Sequence, residues 1–428
     1  MATYIFVTFA ITAILGFPIW AVLAISSFTA LTFASSTPIV VVVQRLFTAT
    51  DSFPLLAVPL FMVAGNLMET GGISRRLIKF CNAILGSLPG GLAMAAVLTC
   101  MFFAAISGSG PATVAAIGGI MIPEMERAGY DKAFSAAVMA VAGAIGVIIP
   151  PSIPMVNFGV VGSVSISTLF AAGFGPGILV GLFLMLVCFV TAKKYGYGLK
   201  NVQKFSIKNV IKEFFHAFWA LLMPVIILGG IYGGIFTPTE AAAVSVIYGF
   251  VVGLLIYREL PIKKIPSMFM SAGKSTAMVM MIVAAASGFG WILTSARIPD
   301  VIAAGILSLT SSKIAILLLI NILLLIVGCL METTAAIIIL TPIFLPITTA
   351  LGVNPVHFGV IMVVNLAIGM STPPLGVNLF VACGIAKISL EQITKAIVWL
   401  LVANIIALLL ITYIPAISMA IPNAMGIK

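Results

Sequence analysis

The chain of 428 residues is 62% hydrophobic and only 7% charged, with a formal net charge of +10. Soluble domains are about a quarter charged, so the composition excludes a soluble globular protein and indicates an all-α polytopic membrane protein. Five cysteines (Cys81, Cys100, Cys188, Cys329, Cys383) lie apart inside apolar runs without CxxC spacing, and read as small buried residues rather than a disulfide framework or metal site.

Residues 1–50 read as an N-terminal span followed by an interfacial arm. The opening MATYIFVTFAITAILGFPIWAVLAI has neither a basic n-region nor a small-residue cleavage site, so it is expected to remain as the first span. Residues 51–192 form a first repeat. Within it a re-entrant hairpin is expected over 89–126, because SGSGP interrupts an apolar stretch whose arms are each too short to span comfortably. The tip, Ser107-Gly-Ser-Gly-Pro111, offers two hydroxyls, free carbonyls and a helix start at Pro111 whose positive end points back at the tip. Irregular backbone at membrane depth is tolerated only where it is buried in protein or lines a polar cavity. A broken helix follows over 131–163. Its Gly146-Val-Ile-Ile-Pro-Pro-Ser152 puts two consecutive prolines inside an apolar helix, which removes amide donors and leaves carbonyls around 146–149 without intrahelical partners.

Residues 193–271 read as an amphipathic linker and a two-span connecting hairpin. Lysines at 200, 204, 208 and 212 draw one basic stripe along a helix, as in a helix lying on lipid at the inner membrane surface. Two spans follow, near 217–235 and 239–257. Between them Thr237, Pro238 and Glu240 form a capping-box signature, which makes Glu240 structural, and His216 is expected at the interface. Residues 272–428 form a second repeat, with a re-entrant hairpin over 314–349 and a broken helix over 353–386. The hairpin tip is Cys329-Leu-Met-Glu-Thr-Thr334, and the break is Gly369-Met-Ser-Thr-Pro-Pro374. His357, early in that helix, reads as packed or interfacial. The repeat emerges when the chain is slid by 223 residues: nine identities fall within positions 123–151, among them Gly146 on Gly369 and Pro150-Pro151 on Pro373-Pro374.

Of the 21 basic residues, 17 fall in five clusters, leaving Arg45, Arg297, Lys313 and Lys428. If the clusters face the cytoplasm, the positive charge is an orientation signal and not a nucleic-acid patch. The N-terminus is then cytoplasmic and the two repeats are inverted, as in many secondary transporters. The first hairpin opens to the cytoplasm and the second to the opposite face. Free carbonyls together with tip hydroxyls make a hard oxygen cage that suits sodium, whereas a proton carrier needs a titratable side chain. The candidates for that role are Glu332, His357, Glu240 and Asp300, and the first tip has no acid matching Glu332. An enzyme is not expected: Ser107 or Ser109 as a nucleophile would need a base, and neither of the two histidines lies in a motif.

The segments TDSFPLLAVPLFMVAGNLM (50–68), SGSGPATVAAIGGIMIPEM (107–125), GVIIPPSIPM (146–155), FTPTEAAA (236–243) and GMSTPPLGVNLF (369–380) resemble the large membrane subunit of TRAP (tripartite ATP-independent periplasmic) transporters. The resemblance covers essentially the whole chain. It implies an elevator-type, sodium-driven importer of an organic acid in the bacterial cytoplasmic (inner) membrane. The implied partners are a small four-span membrane subunit, expected as a separate chain, and a periplasmic substrate-binding protein. Carried over residue by residue, it implies a first sodium site from Ser107 and Ser109 with carbonyls near Gly146, Ile149 and Pro150. A second would use Gly328 and Thr333 with carbonyls near Gly369 and Thr372, although this tip has no matching serine pair. Ser107 and Ser152 would face the substrate cavity. The stretch 156–167, VNFGVVGSVSIS, is similar to members that import sialic acid (N-acetylneuraminate), with a C4-dicarboxylate or other carboxylate as the alternative.

Overall fold

The computed structural model describes every residue except 36, 199–203, 300, 302–303, 306–311 and 428. Among the described residues there is no strand, and eight helices are long and apolar enough to cross a membrane. The chain is a multi-pass, all-helical membrane protein. The Ile166–Tyr195 helix shows how apolar sequence serves two solvents. Val180, Leu184, Cys188 and Ala192, four residues apart, are buried in protein, while Leu182, Leu186 and Val190 are more than half exposed. One stripe packs on neighbours and the other is left on the outer surface.

Shorter apolar helices end where glycine and proline end them. The first 34 residues form two helices, Ala2–Ile14 and Ile19–Ala34, rather than one span. Gly16 turns the chain at φ +79°, and Pro18 cannot donate the amide a continuous helix would need. Val40–Thr50 follows as a separate arm. The lysine-rich linker also differs from expectation. Residues 199–203 lie outside the described residues, as does Asp300, and 207–212 are not a separate surface helix. They are the opening turns of one helix, Ile207–Tyr232, because Ser206 caps it and nothing breaks it before Pro224. Thr237 and Glu240 form the reciprocal capping box, with Thr237 N–H donating to Glu240 at 2.8 Å.

The 223-residue shift carries helix boundaries as well as identities. Gly91–Ser107 and Lys313–Leu330 end in register. The second hairpin arms start at Gly110 and Thr333 and end at Arg127 and Ala350. The broken helices start at Lys132 and Pro355. Past the proline pairs the register slips by one, so that Ile153–Gly162 corresponds to Val377–Ala386.

Packing separates the helices into two groups. Ile265–Ser295 packs on Ile19–Ala34, Val40–Thr50 and Ala57–Thr70, and the last of these packs on Pro238–Phe250. The hairpins and broken helices instead pack with Ile166–Tyr195 and Leu390–Tyr413. The groups meet where Ile265–Ser295 touches Thr333–Ala350, where Ala57–Thr70 touches Gly91–Ser107, and most extensively through Ile73–Leu85, which packs both on Gly91–Ser107 and on Ile207–Tyr232 beside Pro238–Phe250.

Candidate functional site

At the first tip, Gly91–Ser107 ends on Gly108 in the left-handed region at φ +59°, a conformation that glycine adopts without steric cost. Ser109 is extended and Pro111 opens the returning arm. Ser107 Oγ lies 2.8 Å from Thr113 Oγ1, and Thr113 Oγ1 donates to the Ser109 carbonyl at 2.8 Å. The tip is therefore a small ring of neutral oxygens.

The first break faces this ring. A methyl group on Gly146 would stand 2.6 Å from Thr113 Oγ1 and 2.7 Å from the Ser109 carbonyl, so only glycine permits this approach. Lys132–Gly143 tightens into a 3₁₀ turn at Ala144–Val147, and the chain reopens as a helix at Ile153. None of the described hydrogen bonds outside the helices ends on the Gly146, Ile149 or Pro150 carbonyl. Free backbone acceptors thus lie along a break whose Gly146 abuts the hydroxyl ring. Ser152 is placed differently. It is fully buried, donates to the Val147 carbonyl at 2.6 Å and caps the following helix through Met155 N–H.

The second junction is built backbone against backbone. A methyl on Gly369 would stand 2.6 Å from the Gly328 Cα. Cys329 Sγ reaches the Thr372 carbonyl at 3.1 Å, and the Gly369 carbonyl accepts from Thr372 N–H at 2.9 Å. Thr333 Oγ1 is buried without a hydrogen-bond partner. Glu332 caps the returning arm by accepting from Ala335 N–H at 3.1 Å. Of the expected second site, Gly328 and Gly369 are in contact and Thr372 meets Cys329 beside them, while Thr333 opens the returning arm next to a carboxylate committed to helix capping.

The two junctions are neighbours. A methyl on Gly110 would approach Met370 and the Asn378 amide at 3.0–3.3 Å. Ser371 Oγ and Asn378 Nδ2, from the second break, donate to the Ala140 carbonyl of the first broken helix at 2.8 and 3.1 Å. Three residues here were not singled out from the sequence: Thr113, Asn157 and Asn378. Both asparagines are fully buried, both polar atoms of Asn157 lack partners, and so does Asn378 Oδ1. A signal existed, because each broken helix carries Val-Asn shortly after its proline pair, at 156–157 and 377–378. Polar side chains inside membrane helices are costly and tend to be functional. His357 is held between Ser418 Oγ at 2.7 Å and the Thr412 carbonyl at 3.2 Å, which is a packing role.

Ser107 and Ser109 also line a cavity of about 110 Å³ against the other helix group, with Gly65, Asn66 and Glu69 on one side and Ser271 and Ser275 on another. Ligand pockets usually exceed about 300 Å³, so the tip lies close against this group. Ser152 is not among the lining residues.

A family model described as the DctM component of the tripartite ATP-independent periplasmic transporter matches residues 6–417. The isethionate TRAP transporter permease DctMQ of Oleidesulfovibrio alaskensis is 51% identical over 96% of this chain, which spans 65% of that relative's length. The C4-dicarboxylate TRAP large permease DctM of Pseudomonas aeruginosa is 46% identical over 90% of each chain. The sialic acid TRAP large permease SiaM of Vibrio cholerae is 36% identical over 95% of each. Among solved structures, the YdaH transporter of Alcanivorax borkumensis shares the fold, with a TM-score of 0.62 over 90% of this chain and 87% of its own at 16% identity.

Proposed function

The chain belongs to the DctM family of tripartite ATP-independent periplasmic transporters, and from that premise we propose that it is the large membrane subunit of a sodium-coupled importer of a small organic anion. The observation that carries the sodium assignment is the first tip-and-break junction: two serines, a threonine and free backbone carbonyls, with no carboxylate among them. Neutral oxygens arranged this way suit a hard monovalent cation and offer nothing to a proton. Ser107, Ser109 and Thr113 with carbonyls along 146–150 hold the first ion. Thr333 with carbonyls near Gly328, Gly369 and Thr372 holds the second.

The substrate is a small carboxylate or sulfonate. The relatives named for isethionate and C4-dicarboxylate are 51% and 46% identical, against 36% for the sialic acid one. That order supports the smaller anions over the sialic acid similarity of residues 156–167. The chain works in the bacterial inner membrane with its N-terminus in the cytoplasm, beside a small membrane subunit and a periplasmic binding protein that delivers the anion. The cavity bearing Ser107 and Ser109 lies between the two helix groups, where an anion would be passed as one group moves against the other.

Proteoliposomes containing this chain and its small subunit, with binding protein outside, should accumulate substrate when sodium is supplied outside and not when potassium replaces it. Equal uptake with potassium on both sides would remove the sodium assignment.

A further inference from the structure

We infer that Arg45 and the cavity around it form an entry station for the anion, on the face of the membrane opposite the lysine clusters. The inference rests on the anion-import reading and adds a second binding position to it. Arg45 is one of the four basic residues outside the cytoplasmic clusters. It lies on the Val40–Thr50 arm, with its guanidinium 5.9 Å from the Trp291 ring centroid. No described salt bridge or hydrogen bond engages its side chain.

The position along Ile265–Ser295 fixes the face. That helix begins directly after Lys263 and Lys264, beside the Arg76–Glu259 ion pair. Ser287 and Thr294 lie 22 and 29 residues further on. At 1.5 Å per residue that is about 33 and 44 Å, more than the ~30 Å hydrocarbon core. An arginine with no ion pair at that end departs from the orientation rule that the 17 clustered basic residues obey, so its place calls for a reason other than topology.

The surroundings supply one. Arg45 lines a cavity of about 420 Å³ with Ser287, Trp291 and Thr294, and it is the only charged side chain among the lining residues. The far wall is the other helix group: Val160 and Val161 of the first broken helix, Ile338 and Pro342 of the second hairpin. Ile338 is five residues beyond Thr333, about 8 Å along the arm. The station therefore sits within reach of the second tip. Ile265–Ser295 presents one face to both cavities, since Ser275 of one and Ala286 of the other are eleven residues, three turns, apart. A guanidinium fork matches a carboxylate or sulfonate bidentately, and the two nearby hydroxyls add hydrogen bonds.

Two measurements test this. The first is uptake by proteoliposomes at subsaturating substrate-loaded binding protein. Arg45→Gln should cut it about ten-fold and Arg45→Lys much less, with the half-saturating sodium concentration unchanged. Arg297→Gln, a cation outside the cavity, should have no effect. The second does not depend on transport. A Ser287→Cys variant is labelled with a neutral maleimide, the five native cysteines being buried. Millimolar succinate or isethionate should slow labelling several-fold, and the added Arg45→Gln change should abolish that protection. Absence of protection by both anions overturns the station. So does a loss of uptake in Arg45→Gln with protection retained, which would assign Arg45 to docking the binding protein. If wild-type liposomes transport neither anion while protection is seen, it is the import reading that fails and the station that stands.

Discussion

Thr113 joins the two halves of the first junction, touching Ser107, the Ser109 carbonyl and the space that Gly146 leaves free. Thr113→Val keeps the shape and removes the hydroxyl. Losing one such contact is worth about 1–2 kcal/mol, so the half-saturating sodium concentration should rise roughly ten-fold, and Thr113→Ser should restore it. Ser107→Ala and Ser109→Ala should impair uptake in the same way while expression stays near normal. Full transport with unchanged sodium dependence in either mutant would remove that serine from the site. Asn157 makes a sharper case. An unpaired buried amide costs about 1–3 kcal/mol, so Asn157→Leu should raise the unfolding midpoint. If Asn157 serves ion or substrate, the same variant should lose uptake. Higher stability with normal uptake would make it a packing defect only.

At the scale of elements, much of the architecture was legible in the sequence. SGSGP, the two proline pairs and the 223-residue shift located the tips and breaks, because glycine and proline act on the backbone locally and leave a mark whatever surrounds them. The N-terminal split at Gly16–Pro18 carried the same kind of mark, inside a stretch read as one span. What could not be read was contact between elements. Thr113 reads as an ordinary residue of an apolar arm until Gly146 is seen beside it, and the hydroxyl of Ser152 is spent on the Val147 carbonyl, which no motif announces. The glycine approaches give a prediction of their own. Gly369→Ala places a methyl 2.6 Å from the Gly328 Cα, where backbone cannot yield, and should cost about 1–3 kcal/mol. Melting of the purified variant several degrees below wild type, with uptake lost, is the expected result.

Across the whole molecule, the proposed transport cycle would move the hairpin group against the other helices. Asn321, Asn365 and Thr412 link the second hairpin, second broken helix and Leu390–Tyr413 at 2.8 and 3.1 Å, so these elements should move as one body. Cysteine pairs placed between Ala112 on the first arm and Ser275 on the long helix, both lining the cavity at the first tip, should crosslink, stop uptake and release it on reduction. Crosslinked protein that still transports would favour local gating over movement of the whole group. Sodium binding at the tip-and-break junctions has a more direct test. The unfolding midpoint of the purified chain is followed as sodium chloride replaces choline chloride at constant ionic strength. Binding at 100 times the dissociation constant stabilises the native state by about 2.7 kcal/mol per site. The expected result is a saturable rise with sodium, none with potassium, and a rise displaced to higher sodium in Ser107→Ala and Thr113→Val. A rise that potassium reproduces, or one that both substitutions leave unchanged, would contradict it.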